Sequence, residues 1–394
     1  MSAQQETAKE PASRSFGDVV RAVDAISPTI VLSDVGKRSL VAVSPSMQGR
    51  VLTSTADGMV GRSLGWVNEK LIASRQVQQH FNAYGGEDRV WIGPEGGQFS
   101  VFFAPGAPFD LAHWFTPKAV DTEPFAVVRR SRASVAFQRT FTIQNYSRAE
   151  FHVRIDREVR ILSQEDVWKD LKVFPETGLK IVAFESINTL ANMGTEAWTK
   201  KSGLLSLWIL GQFQASPATT IVVPIHEGSV AELGERVKGD YFGQIPANRL
   251  SVQPNAIYLK ADAEYRGKIG VNSQRAKGIL GSYDARHHLL TLVQYTLPDR
   301  HSDYVNAAWN IQTEPFRGDV ANAYNDGPQA EDGARLGHFY EMESSSPAEA
   351  LGPGQSIKHV QRTFHLEGDE AQLDKVARGV LGVGIHDIQT ALPQ

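Results

Sequence analysis

Residues 151–162 read FHVRIDREVRIL. Phe151, Val153 and Ile155 alternate with His152, Arg154 and Asp156. A strand turns successive side chains to opposite faces, so this period of two predicts a sheet with one dry face and one wet face.

Working outward, segments of the same kind recur between turn signals at 29–34, 39–45, 98–105, 133–145, 179–187, 204–213, 219–225, 289–298 and 356–368. Helical patterns are few: SFGDVVRAVDAI (15–26), GWVNEKLIASR (65–75) and DEAQLDKVARGVLG (369–382). The last opens on acids and closes on glycine, as helix ends prefer. Many short strands with few helices argue for an all-β sandwich or barrel, and no βαβ alternation supports a Rossmann-type sheet. No fixed-period repeat points to a propeller. The expected organisation is a disordered tail over residues 1–15 and a single domain over 16–394.

With 394 residues, 41% of them hydrophobic, the chain can bury a sizeable core. A net charge of −4 gives no electrostatic reason to expect nucleic acid or an anionic membrane as partner. The absence of cysteine excludes disulfides, thiolate nucleophiles and cysteine-ligated metals. No apolar run approaches the roughly 18 residues of a membrane span. The start, MSAQQETAKEPASRS, lacks the apolar region of a secretory signal. The expected compartment is the cytoplasm, with the periplasm left open.

GRSLG (61–65) has the spacing of a nucleophile elbow around Ser63, but that motif needs a strand–turn–helix in a parallel sheet. Among β-segments it reads as a tight turn. His287 and His288 would point to opposite faces of a strand, so no metal site is expected there.

Two polar–aromatic loops are better candidates for a ligand. NAYGGEDRVWIGPEGGQFSVFF (82–103) brings Arg89, Glu95 and Gln98 next to Trp91 among glycines. Planar hydrogen-bonding groups suit sugar hydroxyls, and an aromatic face suits the C–H side of the ring. The same loop also reads as a structural Ω-loop with an internal ion pair. YVNAAWNIQTEPFRGDVANAYNDGP (304–328) adds Trp309, Asn325 and Asp326, the last two within a turn-like NDGP.

FYEMESSSP (339–347) places Glu341 and Glu343 on one face of a strand, about 7 Å apart. Two neighbouring carboxylates repel, so one should hold its proton more tightly, as acid–base work near neutrality requires.

GGEDRVWIGPEGGQFSVFF, YRGKIGVNSQRAKGILGSYD, PFRGDVANAYNDGP and LGHFYEMESSSPAEALGPGQSIKHVQRTFHLEG together resemble an uncharacterised bacterial family of the galactose mutarotase-like (aldose 1-epimerase-like) superfamily. The resemblance implies a β-supersandwich with a concave sugar cleft and a sugar or oligosaccharide as ligand. It implies Glu343 as the base at the anomeric hydroxyl, with Glu341 beside it, and Arg89 as a sugar contact. The comparable mid-chain segment, FESINTLANMGTEAW (184–198), offers Asn188 and Asn192 but lacks the superfamily's acid histidine; His226 is the nearest substitute. No cofactor or metal is implied, because ring opening needs only proton transfers. The alternatives are a non-catalytic carbohydrate-binding protein and a polysaccharide lyase or glycoside hydrolase.

Overall fold

The computed structural model describes residues 14–298, 302–328 and 334–393. Eighteen strands occur among them. In chain order they are β1 (Ile30–Ser33), β2 (Leu40–Ser44), β3 (Arg50–Thr55), β4 (Arg89–Gly93), β5 (Ala126–Arg130) and β6 (Ser134–Gln144). Next come β7 (Glu150–Ile161), β8 (Lys180–Asn192), β9 (Ser206–Gln214), β10 (Thr219–Pro224), β11 (Leu250–Val252) and β12 (Ala256–Lys260). The last six are β13 (Gly267–Asn272), β14 (Ile279–Asp284), β15 (Leu289–Tyr295), β16 (Asp319–Asn325), β17 (Phe339–Ser345) and β18 (Ser356–Glu367).

They form three sheets. A ten-stranded sheet runs β11-β12-β10-β14-β15-β18-β8-β7-β6-β5, a five-stranded sheet β13-β16-β17-β9-β4, and a small sheet β1-β2-β3. Every strand pair described is antiparallel. The chain is all-β, with a few short helices.

The alternation in β7 buries Phe151, Val153, Ile155 and Val159 against the small sheet and β4, where Val41, Val43 and Val90 meet them. The other half of the inter-sheet core joins Ile221, Ile257 and Leu280 of the large sheet to Ile269, Ala323 and Met342 of the five-stranded one. Over the outer face of the large sheet, Leu373, Val376 and Leu381 of the helix Glu370–Leu381 pack on Leu290, Phe364 and Leu366. Asp369 caps that helix through the Ala371 N–H, and Gly382, at φ 74°, closes it in the left-handed conformation glycine tolerates best.

The dry face of β7 is not dry throughout. Arg157 continues the inward phase of the alternation, and its side chain and that of Asp88 are both fully buried, 2.5 Å apart. Asn188 accepts from the same guanidinium at 2.7 Å, and Ser186 donates to Asp88 at 2.8 Å. An ionic seam therefore ties the two sheets together where sequence alone predicts only apolar contact.

Residues 98–105 form no strand. Phe102 instead stacks on Trp114, with ring centroids 5.7 Å apart, so aromatic packing holds an irregular segment. The strands β13 and β16, rich in Gly, Asp and Asn, form against their weak β-propensity because both are paired and mostly buried. Residues 1–13 of the expected tail lie outside the described residues. Ser15 is ordered in place as the N-cap of the helix Phe16–Asp24, accepting from the Asp18 N–H.

Candidate active site on the five-stranded sheet

Register decides which side chains meet. Glu341 stands opposite Gln212 and Glu343 opposite Leu210 on β9. Arg89 stands opposite Leu210 from the other side, and Trp91 opposite Trp208. On the next strands Asn322 pairs with Glu343, and Lys268 pairs with Tyr324, itself paired with Glu341. Because alternate residues share a face, Arg89, Trp91, Trp208, Glu341, Glu343 and Lys268 all project from the side of the sheet away from the large sheet.

Both glutamates are buried and both are held by cations. Arg89 donates from Nη2 to Glu341 at 2.9 Å, and Lys268 Nζ lies 3.0 Å from Glu343 Oε2. The Trp208 indole N–H donates to the same Oε2 at 2.9 Å. The guanidinium of Arg89 also lies over Trp91, 4.4 Å from the ring centroid. Burial raises the Glu341 carboxyl to about 8; the Arg89 charge opposes this, and the neighbouring Glu343 adds to it. Burial works against the Lys268 charge, but Glu343, Glu95 and Glu341 outweigh it and keep the ammonium above the ordinary lysine value. Burial thus favours the protonated form of Glu341 beside a lysine that stays charged.

Several polar atoms on this face are buried without a hydrogen-bond partner: Arg89 Nε and Nη1, both amide atoms of Gln212, and Ser206 Oγ. Each such atom costs about 1–3 kcal/mol unless something polar meets it. The set mixes donors and acceptors, which fits hydroxyl groups, able to act as either.

A small cavity lies beside Lys268 and Trp208, the partners of Glu343, and is bordered also by Glu95, Ser206, Tyr241 and Asp319; neither Glu341 nor Glu343 lines it. Its volume is about 20 Å³, room for about one water molecule. The Tyr241 hydroxyl donates to Asp319, and Asn322 reaches Tyr241 at 3.4 Å. Gly270 makes this corner possible: a Cβ there would lie 2.2 Å from an Asp319 carboxylate oxygen.

Of the residues singled out from sequence, Glu341, Glu343, Arg89 and Trp91 come together here. Glu95 joins them at the cavity wall, close to Trp309, with its carboxyl raised by burial. Gln98 is used differently: its amide donates to the Gln312 carbonyl at 2.8 Å and accepts from the Gln312 N–H at 3.0 Å, closing one loop on another. Asn325 receives the Ala263 N–H at 2.9 Å and Asp326 the Tyr324 hydroxyl at 2.6 Å, both bracing the end of β16. Asn188 belongs to the buried seam, and Asn192 bonds the carbonyls of Glu196 and Leu351 at a turn. His226 follows β10 on the large sheet, where it and Arg275 are joined through their backbones at 2.8 Å. It borders a surface hollow with Lys169, Asp170 and Arg362, apart from the glutamate pair.

Lys268, Trp208, Tyr241 and Asp319 escape sequence reading. A signal existed for two of them. Lys268 in GKIGVN and Trp208 in SLWILGQF occupy the phase opposite to the core-facing Ile269 and Ile209. A charge on the alternate phase of a buried strand marks a polar face that is covered by other parts of the chain.

Fold and site together define an antiparallel β-protein with a covered acid–cation cluster on its five-stranded sheet. The chain belongs to a family of unknown function, DUF6786, whose model matches residues 14–392. No curated protein matches the sequence. Among solved structures, the chain is similar to a protein of Escherichia coli K12 proposed to be an aldose 1-epimerase (14% identity, 86% of this chain and 98% of that one, TM-score 0.49). It is similar also to the Slr1438 protein of Synechocystis sp. PCC 6803 (12% identity, 86% and 96%, TM-score 0.49). A galactose mutarotase-like protein of Lactobacillus casei ATCC 334 shows 11% identity over 86% and 99% of the two chains, with a TM-score of 0.47.

Proposed function

We propose that the chain binds a sugar at the Glu341–Glu343 pair and exchanges its anomers by proton transfer. The observation that supports this reading is the side-by-side arrangement of Glu341, whose proton burial holds more tightly, and Glu343, to which Glu341 is hydrogen-bonded. In an aldose the anomeric hydroxyl and the ring oxygen are attached to the same carbon. An acid and a base standing side by side can therefore serve both. Glu343 takes the hydroxyl proton, the bond from the anomeric carbon to the ring oxygen breaks, and Glu341 gives its proton to that oxygen. Rotation of the resulting aldehyde and the reverse transfers return both protons and the other anomer.

The same geometry disfavours glycoside hydrolysis, in which the two carboxyls flank a bond from opposite sides. The cavity next to Lys268 and Trp208, about 20 Å³, is far below the few hundred Å³ of small-molecule sites, so a sugar enters only when the segment carrying Tyr241 moves aside. That Lys268, Trp208 and Arg89 already engage both glutamates favours a second reading, binding without turnover.

Saturation-transfer NMR between the anomeric protons of a panel of aldoses separates the two. Exchange above the spontaneous rate, lost in Glu343→Gln, is the expected result. Binding with no accelerated exchange leaves the second reading standing and removes the first.

A further inference from the structure

The alternation that buries one face of β7 leaves the other face polar, and that face continues across the large sheet. Arg160 stands opposite Glu185, Glu185 opposite Arg362, and Arg362 opposite Gln294. Directly paired residues share a face, so these four side chains form one row on the outside of the sandwich. The row is tied together. Arg160 is paired with Glu185, and Arg362 Nε lies 2.9 Å from Glu185 and 3.1 Å from Asp170. Arg362 Nη1 donates to the Gln294 side-chain oxygen at 3.2 Å, and the Gln294 amide donates to the Asp170 carbonyl at 3.1 Å.

A surface hollow of about 780 Å³ opens at this end of the row, within the size range of small-molecule sites. Arg362, Gln294 and Asp170 line it, so part of its wall is fixed in advance. Lys169 and Lys172, at the end of the helix Gln164–Leu171, and Lys277, between β13 and β14, complete its charged lining.

Charge in the hollow is not balanced. Asp170 is the one carboxylate among the described lining residues, and Arg362 already neutralises it. No carboxylate among the described residues forms an ion pair with Lys169, Lys172 or Lys277, and all three are exposed. The carbonyl end of the helix beside them carries about half a negative charge, too little to offset three ammonium groups. The chain as a whole carries −4, so this positive surplus is local. Like charges gathered round one hollow repel, and an anion seated among them removes that repulsion. A phosphate group brings about 1.5–2 negative charges, so three unpaired lysines match a ligand with two such groups better than a ligand with one.

We propose that this hollow on the outer face of the large sheet binds a small molecule carrying two phosphate groups. The test is isothermal titration calorimetry at low salt with pyrophosphate, inorganic phosphate and D-glucose. The proteins are the wild type, Lys172→Glu/Lys277→Glu, Lys70→Glu/Lys201→Glu and Glu343→Gln. Lys70 and Lys201 are exposed and lie outside the hollow, so their double variant makes the same change in net charge elsewhere on the surface. All four lysines are exposed, so both double variants should keep the fold. Pyrophosphate should bind the wild type more tightly than inorganic phosphate does. Binding should weaken by about tenfold or more in Lys172→Glu/Lys277→Glu, should fall as salt is added, and should persist in the other two variants. No pyrophosphate binding by the wild type, or an equal loss in the two lysine double variants, would overturn the site. A loss in Glu343→Gln alone would also overturn it and place the anion at the glutamate pair. Equal affinity for inorganic phosphate would overturn the two-phosphate class, and equal affinity for D-glucose would overturn the charge argument.

Discussion

Replacing Lys268 with methionine removes a charge and keeps most of the side chain's bulk. In the native protein the Lys268 side chain is 12% exposed and that of Glu343 fully buried, 3.0 Å apart. Removing one member of such a pair leaves the other charge without compensation, which costs about 3–5 kcal/mol. The Trp208 N–H bond to Glu343 remains and keeps the loss toward the lower end of that range. Against a typical total stability of about 5–15 kcal/mol, the variant should still fold. Urea unfolding at pH 7 should show a lowered midpoint with little change in slope. The double variant Lys268→Met/Glu343→Gln should recover more than half of the loss, because it removes both charges. A loss below about 1 kcal/mol, the range of exposed pairs, would refute the reasoning. So would a double variant as unstable as the sum of its parts.

Arg157→Leu should destabilise by about 3–5 kcal/mol, since it strands Asp88 inside the sandwich; the readout is the shift in denaturant midpoint. Burial raises Glu341 to about 8, against Arg89 and with help from Glu343, so the folded state keeps a proton that the unfolded chain releases near its ordinary value of 4.5. That contribution to stability is full below pH 4.5 and is lost as pH rises through about 8, at up to about 1.4 kcal/mol per pH unit. Glu341→Gln should flatten that slope in unfolding curves recorded from pH 5 to 8, and an unchanged slope would remove Glu341 as its source. Gly270→Ala brings a methyl group to 2.2 Å from Asp319, so it should cost about 1–3 kcal/mol by calorimetry and displace Tyr241, read as a changed tyrosine ring signal in NMR.

Sequence by itself determined the sheet character of this chain. FHVRIDREVRIL alternates strongly enough that side-chain period alone assigns it, and it became β7; the short apolar run LKIVAFESI and the segment SIKHVQRTFHLEG, bounded by turn signals, became β8 and β18 beside it in the large sheet. The helix Glu370–Leu381 was legible too, because its cap and its terminating glycine are local signals. The common face of Glu341 and Glu343 followed from their spacing of two. Strands such as β13 and β16 were not legible, since Gly, Asp and Asn carry no strand signal and pairing partners far along the chain hold them.

Only the tertiary structure decided what surrounds the pair. Lys268 and Trp208 reach Glu343 from strands 75 and 135 residues away in sequence, and Arg89 reaches Glu341 across 252. The register of four strand pairs, β4–β9, β9–β17, β17–β16 and β16–β13, sets those meetings, and register depends on every pair in the sheet at once. The same holds for burial. A carboxylate in a strand is ordinary when water covers it and becomes a proton-holding acid when other segments of the chain cover it. The sequence spells out the alternation, but which face ends up covered depends on how the sheets and loops pack.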